Sequence, residues 1–340
     1  MSKKILITGM NKLQVTEDFY KQQQLQVIPS HTSLLACLRD MGYEVTQRAV
    51  VVGEDLKDYD HVIVFIHNPS GFAGYVYNAL WAIYNRPDCI MAFDDWQTDS
   101  IYKGITDLKD VEKLFRPYVK DSHKDIPDNI EKYSSEFIKA VEIIESKKNK
   151  MLISAFSGGD LSLLLDHPNL YQYSPNPYHI HRQASVFFGD KERVFNFAGL
   201  VQDKTKKWLK AQAVESTGWN LKKYGSRKDG QDRVTEDVMV DLYGQQWGIL
   251  MPGYFHAGSG WWRARFFQVA DAGSILIGDP KEMMVVYKNQ EAATIKASDL
   301  PSMTEQQLTD FAAFQKDCLY SAHPLDKLVQ QSELRKVLEN

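Results

Sequence analysis

Short, almost wholly apolar runs alternate along this chain with longer stretches in which apolar residues return every three or four positions. Residues 4–8 form an apolar run closed by Gly9, which predicts a buried strand. Residues 32–41 carry apolar positions at helical spacing and stop at Gly42, a C-terminal cap. Strands are predicted next over 44–52 and 60–66, a helix over 75–84, and a fourth strand over 89–93 that runs into Asp94 and Asp95. The polar stretch 97–147 holds one predicted helix, 130–146, and residues 151–155 read as a further strand before Ser157, Gly158 and Gly159.

Between Tyr173 and Tyr178 two prolines fall within three residues, Pro175 and Pro177, which neither a helix nor a central strand accommodates. This is the expected linker. Beyond it the alternation resumes: strands over 194–200, 219–224, 247–251 and 274–277, helices over 205–216, 235–242 and 262–270 (capped near Gly273), and closing helices over 304–320 and 325–338. Apolar strands that alternate with helices imply parallel sheets with right-handed crossovers. The expected fold class is α/β: two Rossmann-like domains whose parallel sheets face a central cleft. By analogy of pattern this resembles the GT-B architecture of glycosyltransferases. The expected domains are 1–175, an N-terminal acceptor-binding domain, and 176–320, a donor-binding one. Residues 321–340 form a C-terminal helix that is expected to pack back on the first domain.

A length of 340 residues suits two domains, and 44% hydrophobic with 25% charged residues excludes disorder as the main state. No run approaches the roughly eighteen apolar residues of a membrane span, so no membrane partner is expected. The N-terminus shows no signal-peptide pattern, and Cys37, Cys89 and Cys318 form neither a metal-ligand spacing nor a disulfide framework. A cytoplasmic location is expected. The formal net charge of −4 argues weakly against a protein held to nucleic acid by its overall field, but leaves room for a local basic face. Lysines cluster at 147–150, 204–207 and 222–228; the first cluster reads as a solvated helix end.

In an open parallel sheet, ligands bind outside the carboxyl ends of the strands. Asp94 and Asp95 lie at such an end, where a carboxylate can act as a general base or simply cap the next turn. Gly199 ends a strand just before a helix that opens with Lys204, Lys206 and Lys207, so free amide groups and the positive helix end suit a phosphate there. Arg263 and Arg265 follow the glycine-rich segment 256–260. Two positions apart on a helix, they point to different faces, so one suits a phosphate and the other packing on Trp261 and Trp262. The segment from Asn68 through Phe72 to Gly74 lets backbone approach a ligand, or makes a tight turn. His179 and His181 lack a third ligand and read as structural. Asp58 and Asp60 match a DxD pattern but precede a strand, which is the wrong end of the sheet.

These blocks in this order resemble the bacteriophage DNA β-glucosyltransferase family, which adds glucose to hydroxymethylcytosine in duplex DNA. They are Pro29-Ser-His-Thr with Asp40-Met41-Gly42; Asp58-Tyr-Asp60 before the strand at Val62; Asn68 with Phe72-Ala-Gly74; Ala92-Phe-Asp-Asp95; and Leu152-Ile-Ser154. In the second half they are Phe197-Ala-Gly199, Ser216-Thr-Gly218-Trp-Asn220, Tyr224-Gly225, Trp262-Arg-Ala-Arg265, Val269-Ala-Asp-Ala and Ile275-Leu-Ile-Gly-Asp279. The resemblance implies that Asp95 is the catalytic base and that Arg265 holds the donor pyrophosphate, with Gly199 and Arg263 beside it. It implies acceptor contacts at Asn68, Phe72, Asp94 and Trp96, with Tyr102 and the 97–147 region toward DNA. Gln202 and Lys206 stand where the family has two arginines, and Gln268 where it has a glutamate on the donor ribose.

The implied donor is a UDP-sugar, UDP-glucose or UDP-arabinose, and the implied acceptor is double-stranded DNA containing hydroxymethylated cytosine. The target base is flipped from the helix, inside an infected host cell if the chain is phage-encoded. No metal is needed for this chemistry, though a divalent ion could assist UDP release. Two other readings stay open: the same fold acting on a non-DNA acceptor, and a non-catalytic protein that binds a nucleotide-sugar or DNA.

Overall fold

A computed structural model describes residues 3–9, 29–66, 73–93, 130–154, 167–173, 190–199, 203–224, 234, 236–252, 265–288, 290–324 and 326–339. The chain divides into two compact units, Met1–His179 with Asp326–Asn340, and Ile180–Leu325.

Unit 1 is built on a six-stranded sheet in the order β2-β1-β3-β4-β5-β6, with every neighbouring pair parallel. Its strands are β1 (Lys4–Thr8), β2 (Glu44–Arg48), β3 (His61–Phe65), β4 (Ile90–Phe93), β5 (Lys150–Ser154) and β6 (Leu170–Tyr173). Strand side chains alternate between two faces, and both faces are apolar here. Ile5, Ile7, Ile63 and Phe65 join Leu34 and Leu38 of helix α1 (Pro29–Asp40) on one face. Leu6, Val62, Val64, Met91 and Phe93 join residues of α2 (Ala73–Asn85) and α3 (Ser134–Glu145) on the other. A sheet buried on both sides explains why its strands read as continuous apolar runs. Helix α1 ends as the sequence predicts. The N–H groups of Gly42 and Tyr43 donate to the carbonyls of Arg39 and Leu38, and Gly42 takes a φ of +86° that suits glycine.

Two elements of this unit differ from expectation. Residues 44–52 read as one strand, but β2 stops at Arg48, opposite the last residue of its partner β1, and beyond it the Val51 N–H donates to the Asn78 side chain (2.7 Å). Residues 170–173, of which Tyr173 is the start of the expected linker and the rest have no predicted element, form β6 beside β5.

Unit 2 carries a four-stranded parallel sheet in the order β10-β9-β7-β8. Its strands are β7 (Glu192–Ala198), β8 (Asn220–Tyr224), β9 (Gln246–Met251) and β10 (Ile275–Gly278). The helices are α4 (Asp203–Ala211), α5 (Glu236–Gln245), α6 (Arg265–Asp271), α7 (Pro280–Val286) and α8 (Glu305–Ala322), the last opened by a capping box between Thr304 and Gln307. Phe195, Phe197, Leu250, Ile275 and Ile277 pack with Leu209 of α4 and with Leu308 and Ala312 of α8. The predicted helix 205–216 stops at Ala211, because Ala213 turns left-handed (φ +52°) and starts a separate 3-10 turn at Val214–Ser216. Strand β10 is the sheet edge, and Gln315 of α8 seals it: its amide accepts from the Leu276 N–H and donates to the Leu276 carbonyl, both at 2.9 Å.

The last helix, α9 (Lys327–Glu339), belongs to unit 1. Leu334, Val337 and Leu338 enter the same core as Ile5 and Leu38, and Lys150 Nζ donates to the Val337 carbonyl at 2.7 Å.

Candidate functional site

A doubly wound sheet opens a crevice where two neighbouring strands send their connections to opposite sides. In unit 2 the chain passes from β7 through α4 to β8 on one side, then returns to β9 on the other side of β7. The switch point therefore lies at the carboxyl ends of β7 and β9.

Three candidates fall at this place. Gly199 follows β7, but its N–H is spent within the sheet, donating to the Tyr224 carbonyl at 2.8 Å. It is not one of the free amides expected there. Helix α4 begins at Asp203, and Lys206 lies one turn on, with Nζ 3.4 Å from the Asp203 carboxylate. Both side chains are exposed, so the pair is worth little and the lysine stays available to another anion. Arg265 opens α6 as described and is half-buried; its Nη1 donates to the carbonyl of Ala198, the last residue of β7, at 3.0 Å. A guanidinium carries five donors, so gripping one carbonyl leaves capacity for an oxyanion at the same place.

Gln268 sits one turn beyond Arg265 and is 6% exposed, within a helix whose residues from Phe266 to Ala270 are all buried. A neutral amide is far easier to bury there than a carboxylate. The far end of α6 is braced by α8. Asp271 accepts from the Tyr320 hydroxyl at 2.7 Å and pairs with Lys316 at 3.2 Å, while Phe267 packs on Tyr320 and edge-on to His323. His323 Nε2 lies 2.8 Å from the Val286 carbonyl, and burial pushes its pKa down to about 4. The ring is therefore neutral and donates this bond. Beneath the switch point, the Asn196 amide donates to the Gln246 side chain at 2.7 Å, which reaches toward the Tyr224 hydroxyl.

In unit 1 the equivalent switch point lies between β1 and β3. Gly9 closes β1 with a φ of +83°, and a Cβ there would stand 2.4 Å from the carbonyl oxygen of Phe65, the last residue of β3. Only glycine lets the two strand ends come so close. Asn78 of α2, fully buried, donates to Thr8 Oγ1 (3.0 Å) and accepts from the Val51 N–H (2.7 Å), which ties β1, α2 and the segment after β2 together. No motif marks Asn78; the available signal was a single amide within the apolar run of α2.

Asp60 accepts from the Lys4 N–H at 2.6 Å, at the amino end of β1, and this puts the DxD pattern at the edge of the sheet away from the switch point. Arg86 holds the same edge, donating to the carbonyls of Leu56, Tyr59 and Asp60 and to the Asp88 carboxylate, whose pKa it lowers. Asn68, Phe72, Asp94, Asp95, Trp96, Tyr102, His179, His181, Gln202 and Arg263 lie outside the described residues. Strands β3 and β4 end at Phe65 and Phe93, just before the segments that carry Asn68 and Asp95. Among the described residues, no group of three His, Cys, Asp or Glu side chains could hold a metal ion, and no helix is long and apolar enough to cross a membrane.

No protein-family profile matches the chain, and no curated protein matches it by sequence. Solved structures do match. A T4 phage β-glucosyltransferase variant in complex with UDP-glucose aligns at a TM-score of 0.57 and 13% identity, covering 99% of this chain and 100% of that one. The T4 phage enzyme in a study of its substrate binding aligns at 0.56 and 10% identity, and its complex with UDP and Mn2+ at 0.54 and 11%, over the same shares of both chains. At these identities the likeness establishes the fold, the α/β GT-B fold with two parallel sheets.

Proposed function

We propose that this chain is a glycosyltransferase that moves a sugar from a UDP-sugar to the hydroxymethyl oxygen of 5-hydroxymethylcytosine in duplex DNA. The observation that carries the reading is the Arg265 guanidinium against the terminal carbonyl of β7. It is a half-buried cation at the switch point of a sheet whose fold is shared with an enzyme solved in complex with UDP-glucose and with UDP. A donor diphosphate is the ligand such a cation suits best. The DNA acceptor follows from the motif resemblance together with the shared fold.

In this reading unit 2 binds the donor and unit 1 the acceptor. Arg265, Lys206 and Gln202 face the diphosphate, with Gly199 and Arg263 beside it, and Gln268 hydrogen-bonds the ribose. Asn68, Phe72, Asp94 and Trp96 contact the flipped base. Asp95 takes the proton from the hydroxymethyl oxygen while that oxygen bonds to the anomeric carbon and the bond to the diphosphate breaks. UDP departs with its charge offset by Arg265, Lys206 and the amino end of α4. The T4 phage complex with Mn2+ makes a divalent ion that assists UDP release part of the same proposal. So is action in the cytoplasm of an infected cell.

The test is to incubate the protein with hydroxymethylcytosine DNA and a panel of UDP-sugars, UDP-glucose and UDP-arabinose included. The expected result is UDP release with a matching mass gain on the base. UDP release without a modified base would remove DNA as the acceptor. Asp95→Asn should lower transfer by about a thousandfold while leaving UDP affinity near that of the parent; unchanged turnover would remove Asp95 from the role of base.

A further inference from the structure

Lys191, immediately before β7, belongs to no motif, yet it is a half-buried ammonium with no carboxylate beside it among the described residues. Its Nζ donates to the Ala272 carbonyl (2.7 Å) and to Ser274 Oγ (2.8 Å), approaches the Tyr243 carbonyl (3.5 Å), and lies 5.4 Å from the centroid of the Trp247 ring. Burying an ammonium costs several kcal/mol unless something offsets its charge. The offset here comes from two helix ends: Tyr243 lies in the last turn of α5 and Ala272 directly follows α6. Carbonyls at helix C-termini carry partial negative charge, and a cation is stabilised where two such ends converge. Burial brings the amine's pKa down to about 8, so the charged form still predominates at neutral pH.

The same contacts tie α6 to β7 at both ends. Arg265 at its start donates to Ala198 at the end of β7, and Lys191 at the start of β7 donates to Ala272 beyond the end of α6. Seven steps of strand cover about 23 Å, whereas seven steps of helix cover about 10 Å. The two longest cationic side chains make up the difference. Between these tethers the end of α6 is locked by bonds from Gly273 and Ser274 to the carbonyls of Ala270 and Val269. With Lys191 released, a swing of about 10° around that end would carry the Arg265 backbone by about 1.6 Å, a misplacement large enough to matter for a bound group.

We propose that Lys191 is a positioning residue for the donor: it holds α6 so that Arg265 and Gln268 are presented to the diphosphate and ribose of the nucleotide. The assignment rests on the reading of unit 2 as a UDP-sugar site. The test measures UDP affinity by calorimetry, well below the melting temperature, for the parent, Lys191→Met, Arg265→Ala and the double variant. Lys191→Met keeps the apolar stem on Trp247 and removes the donors. It should weaken UDP binding about tenfold, and raise the donor KM with little change in kcat. Added to Arg265→Ala it should cost less than a further twofold, because it acts largely through that residue.

A purely structural role would lower the melting temperature and leave UDP affinity where it was. Parent-like UDP affinity in Lys191→Met, whatever its melting temperature, overturns the assignment alone. A parent protein that binds no UDP overturns the donor reading and this assignment together. Should Lys191→Met fail to fold, Ser274→Ala removes one acceptor of the ammonium. It should weaken UDP about threefold, and an unchanged affinity there counts equally against the proposal.

Discussion

At the switch point of unit 1, β1 and β3 end against each other with only backbone between them, since Gly9 leaves no room for a Cβ before the Phe65 carbonyl. Among the described residues there, Asn78 bridges Thr8 and the Val51 N–H, a neutral and satisfied link. At the switch point of unit 2, a guanidinium donates to the last carbonyl of β7, and lysines follow on the next helix. Among the described residues, one topological rule has thus produced a seam held by neutral groups in one sheet and a cation at the strand end in the other. The difference accords with the proposal that unit 2 binds the donor diphosphate.

The comparison can be broken most forcefully at Gly9. Gly9→Ala combines a left-handed backbone with a backbone clash at 2.4 Å, and should cost unit 1 more than about 4 kcal/mol. Hydrogen exchange should show lost protection in peptides of β1 and β3, with those of β7 and β9 unaffected. Retained protection in β1 would mean that the seam has room to yield.

A weaker effect is expected in unit 2 from His323, whose folded pKa of about 4 lies below the ordinary 6.5. The unfolded chain takes up this proton first as pH falls. The stability from the neutral ring is therefore complete above pH 6.5 and is lost progressively toward pH 4, by on the order of 3 kcal/mol. Denaturant midpoints of unit 2 across that window should fall in the parent and flatten in His323→Gln. An equally steep fall in the variant would assign the titration to another group.

The smallest effect is expected at the exposed rim. Lys206→Ala removes a solvated partner of Asp203 and should weaken UDP only about threefold, against tens-fold for Arg265→Ala. A larger loss at Lys206 than at Arg265 would reverse the ranking of the two cations.

Much of this was legible in the sequence, for physical reasons that can be named. The run 4–8 was read as a strand and forms β1 with the same ends, because a sheet covered on both faces leaves an unbroken apolar signature. Gly42 and Gly273 marked helix ends because the cap geometry selects glycine locally. The order of strands and helices gave the fold class that the T4 phage structures share. What stayed hidden depends on distant partners. Val51 and Val52 look like strand residues, but β1 ends opposite Arg48, and the Val51 N–H goes to Asn78, 27 positions on. Helix α7 is too short, at seven residues, to show a period. Lys191 carries no sequence signal, and only the convergence of α5 and α6 shows what holds its ammonium. Arg265 was found through the motif, but its hold on Ala198 depends on a residue 67 positions away.

The return of α9 to the first sheet has a consequence for how the protein is made. Leu334, Val337 and Leu338 complete a core whose other members, Ile5, Ile7 and Leu38 among them, leave the ribosome hundreds of residues earlier. Unit 2 is continuous in the chain and can close while synthesis proceeds. Unit 1 is older in order of emergence but younger in order of completion: the part of its sheet beside β6 and α1 waits for α9 through the translation of the whole second unit. In that interval a chaperone would find its longest-lived apolar target beside α1, on the β6 side of that sheet.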